Sequence, residues 1–569
     1  MIAWKRLHRL VVPSENKILV ILAFLVGLLT GVAAWGFIRL IEWVRFWPID
    51  AGTPRWVLLI PAAGGLLCGL VVQYAEPLAR GTGTSDVIYA LRRRDGLIPG
   101  RYTFFKTLAS LFTICSGGAA GPEAPGVAIG AGIGSLFGRW RKSSPEVVKN
   151  LTVAGAAAGF AAVFNAPIAA VLFAIEVLLR EFASQAFALV ILSTVTASVT
   201  TRLLLGNEVF VKVPPTYSFN HVAELFFYAI LGILAAIVSK AFVQLYFFIE
   251  QAFDEWKSVP FYIKPMIGGL LIGLLTLGIP HVLGNGHVEI PQLIESEFSN
   301  PWLWQVMAVL LLGKMIATPL TIGSGGSGGI FIPFLLIGAL LGGLVGRMVH
   351  IIYPAAAPAG AYMLVGMGAV FAGVTYAPFT GIILLFELTQ NYSLILPLMF
   401  TVGITTMVAR SLDPESIDSR KLLKKGVVMH ETVELRALEN YRVGELMARS
   451  VDTIPESMSL EKITEFIGRH AHTGYPVVNA DGRVVGLITY TELHRTFNVE
   501  DLPENGIIAR DIMRSDFPTA HADESLTEAV RRMQDRNADR VIVIDSASGQ
   551  MAGILTKGDI LGIYRRLLK

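Results

Sequence analysis

Long apolar runs dominate the chain as far as Arg410 and then stop. Those at 18–37, 56–72, 187–199, 225–242 and 265–277 suffice, alone or with their flanks, to cross the hydrocarbon core of a bilayer as helices. Many shorter runs between them are broken by Gly and Pro. Non-helical backbone persists at membrane depth only where protein buries it or where it lines a watery cavity, so the broken runs predict a transport path. Beyond Arg410 charged residues become frequent, and alternating segments such as "YPVVNADGRVVGLIT" and "RVIVIDSASGQMAGILT" predict the strands of an α/β module. That module is duplicated: Met447, Ser459, Leu460 and Val477 recur as Met513, Ser525, Leu526 and Val543, and "GLIT" recurs as "GILT".

Composition agrees with this division. With 53% hydrophobic and only 16% charged residues and 56 glycines in 569 positions, the chain is not an ordinary soluble enzyme. A net charge of +3 gives no pull toward nucleic acid. The opening "MIAWKRLHRL" puts basic residues before a spanning-length run without a small-residue cleavage site, which predicts an uncleaved anchor and a cytoplasmic N-terminus. Cys68 and Cys115 lie in apolar segments without metal-ligand spacing, so neither a disulfide nor a metal site is expected.

Within the apolar part, "KTLASLFTICSGGAAGPEAP" and "KMIATPLTIGSGGSGGIFIP" match at a fixed shift. Lys106, Thr113, Ser116, Gly118, Gly121 and Pro125 are answered by Lys314, Thr321, Ser324, Gly326, Gly329 and Pro333. The register continues through Gly130, Gly134 and Gly138 to Gly338, Gly342 and Gly346, and "FAAVFNAPIAAVLFAIE" pairs with "FAGVTYAPFTGIILLFE", aligning Glu176 with Glu387. Glycines spaced by four can serve close helix packing alone. The loops before them need another account, because each ends at a Pro-containing apolar helix start whose free N–H groups attract anions. Basic "RWRKS" follows one repeat helix and "RMVHIIYPAAAPAG" the other, hinting at opposite exits, and an inverted pair would aim two helix N-termini at one point.

These residues carry a resemblance. "GTGTS" from Gly81, "GPEAP" from Gly121, "GIFIP" from Gly329 and "NAP" at Asn165, in this order, resemble the CLC family of chloride channels and chloride/proton antiporters with a C-terminal CBS pair, over essentially the whole chain. The resemblance implies an all-α polytopic membrane protein of two inverted repeats (the CLC fold, 1–424) followed by a cytoplasmic α/β CBS pair (425–569, the repeats at about 440–497 and 507–569). It further implies a multi-pass protein of a bacterial inner membrane or equivalent with both termini cytoplasmic, working as a homodimer with one anion pore per subunit and no enzymatic activity. Chloride is the implied substrate.

Carried over residue by residue, Glu123 falls on the family's gating glutamate, which competes with chloride for helix-end donors; the plainer reading is a Glu that caps its own helix. Gly121 and the backbone N–H groups of Ile330 and Phe331 are implied anion ligands, and the hydroxyl of Thr82 stands where the family usually has Ser. Without the motif Thr82 would be an ordinary loop residue. Pro122 and Ala124 depart from the usual basic residue and Gly around the gate. Val177 stands where antiporters of the family carry the inner proton-accepting glutamate, which favours a passive channel over an exchanger. A fluoride exporter and a nucleotide sensor with a secondary membrane part are weaker alternatives. Asp418 in "ESIDS" takes the place of a tyrosine whose hydroxyl helps coordinate the central anion. Its carboxylate either becomes protonated, which restores an O–H donor in the pore, or turns toward cytoplasmic water with Arg420 and Lys421 as partners, and the second is the outcome expected. In the tail, Thr556 and Asp559, with Thr489 and Glu492 as weaker counterparts, match the pattern by which CBS pairs hold ATP, ADP or AMP; they are equally readable as helix caps.

Overall fold

The computed structural model describes residues 15–44, 58–180, 184–206, 210–295 apart from 212, 215–216, 218 and 220, then 304–425 with 427, and in the tail 441–560 apart from 471, 473, 490–491, 494–505, 537 and 546–547. The basic N-terminal decapeptide and the segment joining the two parts lie outside the described residues. The chain divides into two compact units, Met1–Val427 and Val428–Lys569.

The first half of the larger unit runs α1 (Glu15–Val44), α2 (Ile60–Leu70), α3 (Thr84–Arg93), α4 (Gly100–Cys115), α5 (Glu123–Trp140), α6 (Pro145–Phe164), α7 (Pro167–Phe173, continued by a π-helical turn over Ala174–Leu179) and α8 (Ser184–Leu205). The second half runs α9 (Glu224–Glu255), α10 (Lys264–Thr276), α11 (Glu289–Glu295), α12 (Trp304–Gly323), α13 (Phe331–Ile352), α14 (Ala359–Thr375), α15 (Pro378–Thr389) and α16 (Ile395–Leu412), and α17 (Ile417–Lys424) closes the unit. Among the described residues seven helical stretches are long and apolar enough to span a membrane, with half-length apolar helices such as Pro167–Leu179 and Pro378–Thr389 between them. Proline at the first turn starts α6, α7, α10 and α15, where its missing N–H costs nothing. Asn165 and Tyr376, equivalent in the two repeats, both end their helices in the left-handed region.

The halves meet through bonds that each returns to the other. Gly121 N–H donates to Gly329 O at 2.9 Å and Gly329 N–H to Gly121 O at 2.7 Å, an antiparallel bridge between equivalent residues. Ala119 N–H donates to Thr321 Oγ1 (2.9 Å), as Ser327 N–H does to Thr113 Oγ1 (3.2 Å). Glu387 accepts from the N–H groups of Ile168 and Ala169 at the start of α7, and Glu176 from those of Phe379 and Thr380 at the start of α15. Such reciprocity places a local two-fold between the loops that open α5 and α13. The four-spaced glycines do serve packing: a Cβ on Gly130 would lie 1.9 Å from Gly155 O, and one on Gly342 2.0 Å from Tyr362 O.

The tail holds two copies of one small motif. In the first, β1 (Ile454–Pro455) pairs parallel with β2 (Gly474–Val478) after a helix at Leu460–Arg469, and β2 pairs antiparallel with β3 (Val484–Thr489). In the second, β4 (Thr519–Ala520), a helix at Leu526–Asp535, β5 (Arg540–Ile544) and β6 (Met551–Thr556) repeat that order, with a bulge after Val543 matching the one after Val477. Each helix covers its own sheet, burying Ile463 with Val477 and Ile488 in one copy and Leu526 with Val543 and Leu555 in the other.

Candidate functional site

Glu123 and Phe331 are equivalent in the repeats, and each is the first residue of its helix. The Glu123 side chain is fully buried, and its Oε1 accepts hydrogen bonds from Phe331 N–H (2.6 Å) and Ile332 N–H (3.3 Å). A carboxylate from one helix start thus sits on the N-terminus of the other, where two unpaired amides and the helix dipole favour negative charge. Among the described residues Oε2 is buried without a hydrogen-bond partner. Behind the site the Phe331 ring meets Phe160, Phe173, Phe334 and Phe371, an apolar wall that weakens dielectric screening.

Two glycines make room for this carboxylate. A Cβ on Gly121 would stand 2.0 Å from Glu123 Oε2, and one on Gly329 2.2 Å from Glu123 Cδ. The structure corrects the expectation for Gly121, whose N–H is spent on Gly329 O. Of the two expected amide donors, Phe331 is aimed at the carboxylate; its second partner is Ile332, whereas Ile330 precedes the helix as its N-cap.

Thr82 lies between Gly81 and Gly83, both at positive φ, and is buried. Its loop is held to the second repeat by Gly81 N–H to Gly326 O (2.8 Å) and Gly328 N–H to Gly81 O (3.2 Å). Lys106, fully buried in α4, donates to the carbonyls of Ala79, Arg80 and Gly81, and Lys314 in α12 does the same for Val282, Leu283 and Gly284. These two positioning lysines were visible in the repeat as intramembrane charges at one register, a signal that sequence reasoning left without a role.

Thr82 Oγ1 accepts from Lys421 Nζ at 3.2 Å, which brings α17 to the same loop. Asp418, one turn earlier, is only 3% exposed, so the expected turn toward cytoplasmic water is not what the fold adopts. The physical reason is packing of α17 against α3 and α14, with Lys421 and Arg180 offsetting only part of the cost of burial, and Arg180 is fixed there by Ser416 Oγ (3.2 Å) and Ser419 Oγ (2.7 Å). Arg420, the other expected partner, pairs with Asp413. Val177 is buried beside Glu176, whose carboxylate is occupied at α15. Pro122 is the residue before α5 and Ala124 is buried in its first turn.

In the tail, Thr556 at the end of β6 donates from its N–H (2.9 Å) and hydroxyl (2.6 Å) to Asp559 Oδ2. Thr489 at the end of β3 makes the same pair of bonds to Glu492. Both pairs therefore act as caps within the protein itself, and each presents its polar atoms at the end of a strand.

Residues 64–410 match the family model "Voltage gated chloride channel", and 443–498 and 509–566 each match the CBS domain model. The chain is 30% identical over 583 residues to chloride channel protein CLC-f of Arabidopsis thaliana, covering 96% of this chain and 69% of that one. It is 30% identical over 423 residues to the H(+)/Cl(-) exchange transporter ClcA of Yersinia pseudotuberculosis, covering 72% of this chain and 87% of that one. Its fold is similar to the crystal structure of a eukaryotic CLC transporter, with TM-score 0.72 and 20% identity over 95% of this chain and 97% of the other. The helical inverted-repeat fold and the paired α/β tail expected from the sequence are borne out. The chain is a multi-pass integral membrane protein that belongs to the voltage gated chloride channel family and carries a pair of CBS domains.

Proposed function

We propose that the protein conducts chloride passively through a path gated by Glu123. The observation that carries this reading is the buried carboxylate seated on the N–H groups of Phe331 and Ile332, where a tethered anion takes the place a mobile one would occupy. Amides and the Thr82 hydroxyl hold an anion without binding it permanently, as conduction requires. Protonated Glu123 is a weaker acceptor and yields the donors to chloride, so flux rises as pH falls. Residues 1–424 form the transport part, working as a homodimer in a bacterial inner membrane or its equivalent with both termini cytoplasmic. The tail, 425–569, binds ATP, ADP or AMP through Thr556 and Asp559 and adjusts flux.

Passive conduction over exchange rests on Val177, which leaves no titratable side chain next to Glu176 to relay protons inward. Chloride/proton exchange is the second reading, favoured by likeness to a protein named an exchange transporter. Both are tested by reconstituting the full chain in liposomes and recording chloride and proton movement together. Chloride efflux without stoichiometric proton uptake is expected; protons driven uphill by a chloride gradient would establish the exchanger.

A further inference from the structure

The short helix α17 and the residue after it carry four cations, and three of them behave as surface charges do. Arg420 pairs with Asp413, Lys424 with Glu250 (2.8 Å) and Lys425 with Asp86, with cation side chains 31%, 50% and 37% exposed. Lys421 is different. It is 8% exposed, its Nζ lies 3.2 Å from Thr82 Oγ1 and 4.4 Å from the centre of the Tyr246 ring, and among the described residues it forms no ion pair with a carboxylate. Asp418, Glu250 and Asp86 act on it only from farther away.

A buried ammonium directed at a hydroxyl oxygen is costly unless further negative charge comes to it. Its contact also orients the hydroxyl: because Thr82 Oγ1 accepts from Lys421, the Thr82 proton is turned away from the lysine and is free for an acceptor on the other side. Ammonium and hydroxyl together make a two-donor contact of the kind that holds a halide, at the very loop that the two repeats clamp in place.

Resting on the conduction reading above, we propose that Lys421 is an anion-binding residue of the path, a fixed cation that sets chloride affinity beside Thr82. Asp418 tempers that charge from the same helix, so the anion is held without being trapped.

The test uses the full-length protein as wild type, Lys421→Met, Lys421→Gln and Lys421→Arg, with chloride dependence of flux in liposomes and chloride titration calorimetry of detergent-purified protein. Neutralising Lys421 should weaken apparent chloride affinity about tenfold, the equivalent of one charge-assisted hydrogen bond, while Lys421→Arg stays within about threefold of wild type. A merely structural lysine would change the unfolding temperature and leave the affinity of the folded protein alone. Lys421→Gln keeps a donor for Thr82 without the charge and decides the matter if Lys421→Met does not fold. Wild-type affinity in a folded neutral variant overturns the role of Lys421 while the conduction reading stands. A wild-type protein that moves no chloride overturns the conduction reading, and this inference with it.

Discussion

Glu123 and Phe331 occupy one register in two repeats whose backbones reciprocate bond for bond, yet one contributes a carboxylate and the other a bare N–H. Other equivalent positions keep the same chemistry on both sides: Lys106 and Lys314 each tie down three carbonyls, Thr113 and Thr321 each accept from the opposite loop, and Glu176 and Glu387 each cap the opposite helix. The lesson is a division of labour. Positions that obey the two-fold build the frame, and the position that breaks it makes the site.

That division can be broken experimentally. The largest effect is expected at the lysines. Lys106→Met and Lys314→Met each leave three buried or part-buried carbonyls without their donor, for a loss of about 3 kcal/mol or more. Thermal unfolding of the detergent-purified protein should show the two losses to be alike; a neutral result at one lysine would separate the repeats where the bonding unites them.

At the symmetry-breaking position the expectation reverses, with function changed and stability kept. Glu123→Gln should remove most of the pH dependence of chloride flux. Gly329→Ala should do the same by another route, because its Cβ would stand 2.2 Å from Glu123 Cδ and drive the carboxylate off Phe331 and Ile332. At neutral pH both should raise flux about tenfold. If Gly329→Ala folds and keeps wild-type pH dependence, the seated carboxylate is not the gate.

Smaller and again symmetric are Glu176→Gln and Glu387→Gln, each weakening a charged cap by about 1 kcal/mol in chemical or thermal unfolding. Smallest is the tail, where a second internal repeat offers the same comparison. Thr556→Val should cost about 0.5 kcal/mol as a lost cap, and so should Thr489→Val. Only Thr556→Val should also abolish stabilisation of the full chain by millimolar ATP, ADP or AMP. Equal nucleotide stabilisation of that variant and wild type would leave Thr556 a cap alone.

Much of the frame was legible in the sequence. The repeat match aligned Lys106 with Lys314 and Gly121 with Gly329, and short apolar runs interrupted by glycine and proline marked the half-length helices. The site was legible in part. Glu123, Phe331 and Thr82 stood out by motif, while the part Ile332 plays beside Phe331 under the carboxylate depends on where the helix N-cap falls, a matter of one dihedral that apolar patterning does not register. Gly121 misled for a related reason: a glycine-rich loop advertises free amides, but the opposite repeat takes this one.

The sequence by itself determined the membrane part, its internal duplication, the duplicated tail and the place of the buried carboxylate, since hydrophobic period and repetition are properties of order along the chain. Only the tertiary structure decided which donors remain free, whether Asp418 reaches water, and that a lysine 339 residues away lies against the Thr82 hydroxyl. A hydrogen bond or a buried charge is settled by every element packed around it. Local spacing cannot encode a neighbour brought in from the far end of the fold.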